Sequence, residues 1–173
     1  REFMTDRQVP SAWLNVPSIS GLLAVGNSHS IYWRSFGHPD AMPVIALHGG
    51  PGSGSNPRHL TFFDPQIHRV IMFDQRGTGQ STPSASTIKN TPQDLLGDIE
   101  KLRRYLSVDR WLVFGVSWGA SLGLLYIQNH PQVTTGLVLA GLSNRHEHQN
   151  AWILEERARL LPERHEGFLK ALA

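Results

Sequence analysis

A serine set between two glycines, in Gly115-Val116-Ser117-Trp118-Gly119, is the strongest candidate nucleophile in this 173-residue chain. The spacing G-x-S-x-G suits a sharp turn from a buried strand into a helix. Such a turn holds the serine at strained backbone angles, and the glycines let neighbouring chain pass close by. The hydroxyl then stands out at the carboxyl end of a sheet. It also sits at a helix N-terminus, where backbone N–H groups favour developing negative charge. These features suit acyl transfer through a serine ester. Without a strand and a helix on its flanks, the same run is only a turn.

Acyl transfer needs two donors for the tetrahedral oxyanion. One is the N–H of the residue after the nucleophile, Trp118. The other is expected from His48-Gly49-Gly50-Pro51-Gly52, with Gly50 the natural candidate, because neither Gly49 nor Gly50 has a side chain to obstruct substrate. An ordinary glycine-proline turn is the alternative for this loop. A phosphate-cradling loop is not, since Gly49 to Ser55 lacks the necessary lysine. A third glycine-rich run is Asp74-Gln75-Arg76-Gly77-Thr78-Gly79-Gln80-Ser81. Asp74 and Arg76 could pair there and fix the loop at the mouth of the site. Bracing suits Asp74 better than the role of catalytic acid. His146-Glu147-His148, with His130 or His165, does not make a metal site. Residues two apart on a helix do not share a face, and no H-E-x-x-H occurs. No metal or cofactor is implied.

The elements that would position these residues can be read along the chain. Residues 19–25 and 31–36 flank the turn-rich Gly26-Asn27-Ser28 and predict a β-hairpin. Val44-Ile45-Ala46-Leu47, Arg69 to Asp74, Trp111 to Gly115 and Gly136 to Ala140 are short apolar runs, as expected of strands buried on both faces. Thr91-Pro92-Gln93-Asp94 is a helix start, with Leu95, Ile99, Leu102 and Leu106 forming one apolar face. A second helix is predicted from Trp118 to about Asn129, with Gly119 and Gly123 letting it pack closely on the sheet. Strand alternating with helix implies parallel pairing and right-handed crossovers. Beyond Leu142 the chain is more polar. Leu154, Ala158 and Leu161 suit one amphipathic helix, Pro162-Glu163-Arg164 an interruption, and Glu166 to Leu172 a second helix.

Composition narrows the classes. The chain holds 16 Lys and Arg against 14 Asp and Glu, is 40% hydrophobic, and has no cysteine. A disulfide scaffold, a thiolate metal site and a cysteine nucleophile are thereby excluded. A formal charge of +2 without a clustered basic face gives no footprint for nucleic acid. No apolar run reaches the length of a membrane span, and no signal peptide follows Met4. A cytoplasmic protein is the expectation. Arg1-Glu2-Phe3 reads as an expression scar.

The His48–Gly52, Asp74–Ser81 and Gly115–Leu122 runs occur in order and at fitting separations. Together they resemble the proline iminopeptidases (prolyl aminopeptidases), serine peptidases of the α/β-hydrolase fold. The similarity runs from about Gly21 to Leu142 and fades beyond. Val116 departs from the glycine that many members carry. The resemblance implies that residues 4–142 are the N-terminal part of a hydrolase core, a mostly parallel sheet with flanking helices, truncated at the start of a helical cap at residues 143–173. It also implies release of an N-terminal proline from a peptide, with Ser117 as nucleophile. In that family the catalytic acid and histidine follow later strands, so both are expected downstream of Ala173. The 173 residues alone are then expected to be inactive, with a complementing C-terminal polypeptide as a partner. Two other readings stay open: an esterase or amidase of the same fold, and a non-catalytic fragment lacking the acid and histidine.

Overall fold

The computed structural model describes residues 9–142, 156 and 158–172. The chain divides into two compact units, Arg1–Ser143 and Asn144–Ala173. In the first, strands β1 (Ser18–Gly26), β2 (His29–Phe36), β3 (Met42–Leu47), β4 (His68–Phe73), β5 (Trp111–Val116) and β6 (Thr134–Ala140) form one sheet. Their order is β1-β2-β4-β3-β5-β6. The hairpin β1–β2 pairs antiparallel and joins β4 antiparallel, whereas β3–β4, β3–β5 and β5–β6 are parallel. The hairpin turns through Asn27 and Ser28, both at positive φ (53° and 61°), as a tight two-residue turn between twisted strands requires.

The central strands bury both faces, which explains why they read as unbroken apolar runs. Ile45, Leu47, Ile71, Phe73, Trp111 and Val113 point to one face. There they meet Leu95, Ile99 and Leu102 of helix α1 (Pro92–Tyr105) and Leu122 and Tyr126 of helix α2 (Trp118–Asn129). Their neighbours Val44, Ala46, Val70, Met72 and Phe114 fill the other face with Trp13, Phe36 and Leu60. Two short 3₁₀ turns, Ser11–Trp13 and Pro57–Phe62, supply Trp13 and Leu60, and the Trp13 indole donates to the Leu60 carbonyl at 3.0 Å. Both helices of this unit therefore lie on one face.

Helix α1 starts as its sequence predicts. The Thr91 side chain accepts from the Asp94 N–H, and the Asp94 carboxylate accepts from the Thr91 N–H, with Pro92 in the first turn. Helix α2 spans the predicted residues. In the second unit, the helix α3 (Pro162–Leu172) begins at Pro162 and not at Glu166. The helical run at 158–160 stops at Leu161, so the expected interruption is present, and Pro162 opens the next helix because proline at the first helical position loses no hydrogen bond. Leu154, His146, His148 and residues 1–3 lie outside the described residues.

Candidate active site

Val116 ends β5 and Trp118 begins α2, leaving Ser117 alone at the junction. Its backbone angles, φ 56° and ψ −118°, lie where non-glycine residues are rarely found, a strain of about 1–3 kcal/mol. Surrounding structure holds it there. The Ser117 N–H donates to the Ala140 carbonyl at the end of β6 (2.8 Å), and the Ser117 carbonyl accepts from the Ala120 N–H (2.9 Å). The glycines of the motif do separate jobs. A Cβ on Gly119 would overlap the Leu47 carbonyl oxygen, and one on Gly115 would overlap the Gly119 carbonyl oxygen. A Cβ on Gly123 would stand 3.1 Å from the Val113 side chain. The first turns of α2 thus pack directly on the ends of β3 and β5.

The loop after β3 passes over the serine. A Cβ on Gly49 would stand 3.1 Å from the Ser117 Cβ and 3.7 Å from its Oγ. Gly50 follows at φ 118°, and a Cβ there would come within 2.6 Å of the Gly52 nitrogen. The structure therefore brings Ser117, Trp118 and the Gly49–Gly50 backbone to one place. A cavity of about 360 Å³ opens beside them, lined by His48, Gly49, Gly54, Ser55, Asn56 and His59.

His48 is buried and does not act as an open base. Its Nε2 accepts from the Gln75 N–H (3.0 Å), so the proton sits on Nδ1, which donates to the Gly49 carbonyl (2.8 Å). Burial pushes its pKa down, so the ring stays neutral. Burial likewise lowers His59. Among the described residues, neither histidine has a carboxylate hydrogen-bonded to its ring, as a serine–histidine pair would need.

The loop after β4 differs from expectation in one respect. Asp74 and Arg76 do not pair. The Asp74 carboxylate accepts from the Ser55 N–H (2.7 Å), the Ser55 hydroxyl (2.6 Å) and the Gln80 N–H (2.8 Å). It packs so tightly on Gly79 that a Cβ there would overlap it. Asp74 thus ties its own loop to the loop after β3. Arg76 turns the other way and meets Asp98 of α1 in a two-point ion pair, Nε to Oδ2 at 2.6 Å and Nη2 to Oδ1 at 2.7 Å. Asp98 reaches it because one turn of helix separates it from the capping Asp94. The hydrogen bond to Asp98 holds the Arg76 guanidinium charged, above its ordinary range. Burial pushes the Asp98 carboxyl up in spite of that partner.

The sequence reading also missed Gln75. Its side chain accepts from the Trp118 indole N–H (2.9 Å) and donates to the His48 carbonyl (3.0 Å). A buried amide that bridges the loop after β3 and the start of α2 leaves no signal in one sequence beyond its place in the Asp74–Ser81 run. Among the described residues, no three His, Asp or Glu side chains gather as a metal site would require, and no helix is long and apolar enough to cross a membrane.

A serine at a strained strand-to-helix turn, over a mostly parallel sheet, defines the class. A family model described as alpha/beta hydrolase fold matches residues 42–168, and the chain belongs to that family. Its curated relatives include a protein from Arabidopsis thaliana named proline iminopeptidase, 50% identical over 139 residues, which cover 80% of this chain and 37% of that one. A proline iminopeptidase of Neisseria gonorrhoeae is 45% identical over 159 residues, covering 91% of this chain and 51% of the relative. The chain thus spans about half the length of the curated relatives it matches, or less. Among solved structures, a proline iminopeptidase-related protein from Thermus thermophilus superposes with a TM-score of 0.63 at 28% identity, covering 71% of this chain and 44% of that one. An epoxide hydrolase mutant from Vigna radiata gives 0.64 at 24% identity, covering 75% and 40%, a likeness of fold alone.

Proposed function

We propose that this chain carries the nucleophile and the oxyanion donors of a serine aminopeptidase that releases proline from the N-terminus of peptides. The observation that carries the reading is the backbone of Ser117, held at φ 56° beneath the Gly49–Gly50 loop. In this reading the Ser117 Oγ attacks the proline carbonyl, and the Gly50 and Trp118 N–H groups hold the oxyanion. A histidine takes the serine proton and returns it to the leaving amine, an aspartate orients that histidine, and water releases the acyl-enzyme. Both residues are assigned to polypeptide beyond Ala173 on the resemblance to the proline iminopeptidases, of whose length this chain covers about half or less. We refer to the chain together with that polypeptide as the complete enzyme, and assign it to the cytoplasm. The relatives named proline iminopeptidase support peptides as the substrate class. The experiment compares turnover of proline anilides with that of simple acyl esters by the complete enzyme. Preference for the proline anilide is expected, and preference for the esters overturns the assignment.

A further inference from the structure

Three segments, each following a different strand, meet around one side chain. Gln75 comes from the loop after β4 and is only 2% exposed. Its Oε1 accepts from the indole N–H of Trp118, the first residue of α2 (2.9 Å). Its Nε2 donates to the carbonyl of His48, the residue before Gly49 and Gly50 (3.0 Å). Its own N–H donates to the His48 ring at Nε2 (3.0 Å), and its carbonyl accepts from the Thr78 hydroxyl (2.8 Å). Every polar group of the residue thus has a partner. The amide has a fixed orientation too, because only its oxygen can accept from the indole and only its nitrogen can donate to a carbonyl.

Oxyanion stabilisation depends on donors held in place before charge develops. The two donors proposed here belong to segments that share no covalent neighbour, the Gly49–Gly50 loop and the start of α2. We propose that Gln75, acting through the Trp118 indole and the His48 carbonyl, is a positioning residue that fixes the separation between the Trp118 and Gly50 N–H groups. This rests on the reading of Ser117 as nucleophile. It gives the Trp118 side chain a role distinct from its backbone: the indole is the handle by which the elbow is held to the loop opposite. An aromatic ring without N–H would keep part of the packing and lose the hold.

The test uses the complete enzyme with Trp118→Phe, Gln75→Met and the double variant. Each single variant is expected to lower kcat on the order of 10-fold or more with KM held within about twofold, since misplacement of a donor is felt at the transition state. Because both act through one bridge, the double variant should lose no more than the worse single variant. Binding of a boronic acid that forms a tetrahedral adduct on Ser117 should weaken by the same factor as kcat, while inhibition by free proline stays unchanged. Trp118→Phe keeps an aromatic ring, smaller than indole, and so reports even if Gln75→Met does not fold. The proposal is overturned if kcat is unchanged in Trp118→Phe, if KM rises while kcat holds, or if the two losses multiply. Serine-directed phosphonate labelling of wild type and Ser117→Ala runs alongside. Labelling that persists in Ser117→Ala refutes the nucleophile, whereas labelling lost there with kcat intact in Trp118→Phe refutes the clamp alone.

Discussion

Removing the Asp98 carboxylate should destabilise the first unit about as much as truncating a large core side chain. Asp98 is fully buried, and its partner Arg76 is 3% exposed. Replacing Asp98 by alanine leaves a guanidinium out of water, with the Lys89 carbonyl as its close acceptor and the Asp94 carboxylate 3.9 Å away. Breaking a buried pair from one side costs about 3–5 kcal/mol. Asp94 can recover part of this, so the expectation is about 3 kcal/mol. In urea that moves the unfolding midpoint of the complete enzyme down by up to about 1 M, since the slope grows with the surface exposed on unfolding. The control is Arg76→Met with Asp98→Leu, which removes both charges and fills the space. Burial pushes Asp98 up even with Arg76 beside it, so desolvation weighs heavily against the pair. The double variant should therefore recover half or more of the loss, short of full recovery because the Lys89 carbonyl is left without Arg76. Tryptophan fluorescence and circular dichroism in urea measure both variants. A cost below about 1 kcal/mol for Asp98→Ala, or a double variant worse than the single, would refute the reasoning.

Gly50→Ala should lower kcat by about 10²-fold or more, because a side chain at φ 118° displaces the loop that carries a proposed oxyanion donor. An unchanged kcat in the folded variant removes Gly50 from the site. Glu100 is hydrogen-bonded by Arg103 and Tyr126, and its pKa is pulled down from 4.5 to about 2. Its stabilisation is therefore complete above pH 4.5 and lost as pH falls toward 2, and urea unfolding should show a shallower acid slope for Glu100→Gln over that window. Residues 1–173 by themselves should self-associate and fail to label with a serine-directed phosphonate. Among the described residues β6 pairs with β5 alone, and Val138 is 47% exposed. Light scattering that finds a stable monomer which labels rapidly contradicts this.

The fold was legible wherever one local rule governs a segment. Buried strands showed as apolar runs bounded by glycine, Thr91-Pro92-Gln93-Asp94 announced its helix, and the spacing around Ser117 announced its turn. The glycines gave away close backbone contacts, because Gly119 and Gly49 lie where a Cβ would strike Leu47 or crowd Ser117. What stayed hidden depends on which loop faces which. Asp74 and Arg76 are two apart in sequence, yet they point to opposite sides, one toward Ser55 and the other toward Asp98 on α1. Nothing in a single sequence distinguishes Asp98 from any other helical carboxylate. The same holds for Gln75, whose partners lie 27 and 43 residues away. Pro162 does mark an interruption, at Leu161, but the next helix opens on the proline itself and not at Glu166, because proline suits the first turn of a helix as well as it breaks the interior.

The central claim is that Ser117 is a nucleophile held ready by its turn. Intact-mass measurement of the complete enzyme after treatment with a serine-directed phosphonate tests it directly. One adduct per chain, mapped to Ser117 and absent from a folded Ser117→Ala variant that has lost its turnover, is the predicted result. An adduct elsewhere, or an alanine variant that labels and turns over like the wild type, would contradict the account.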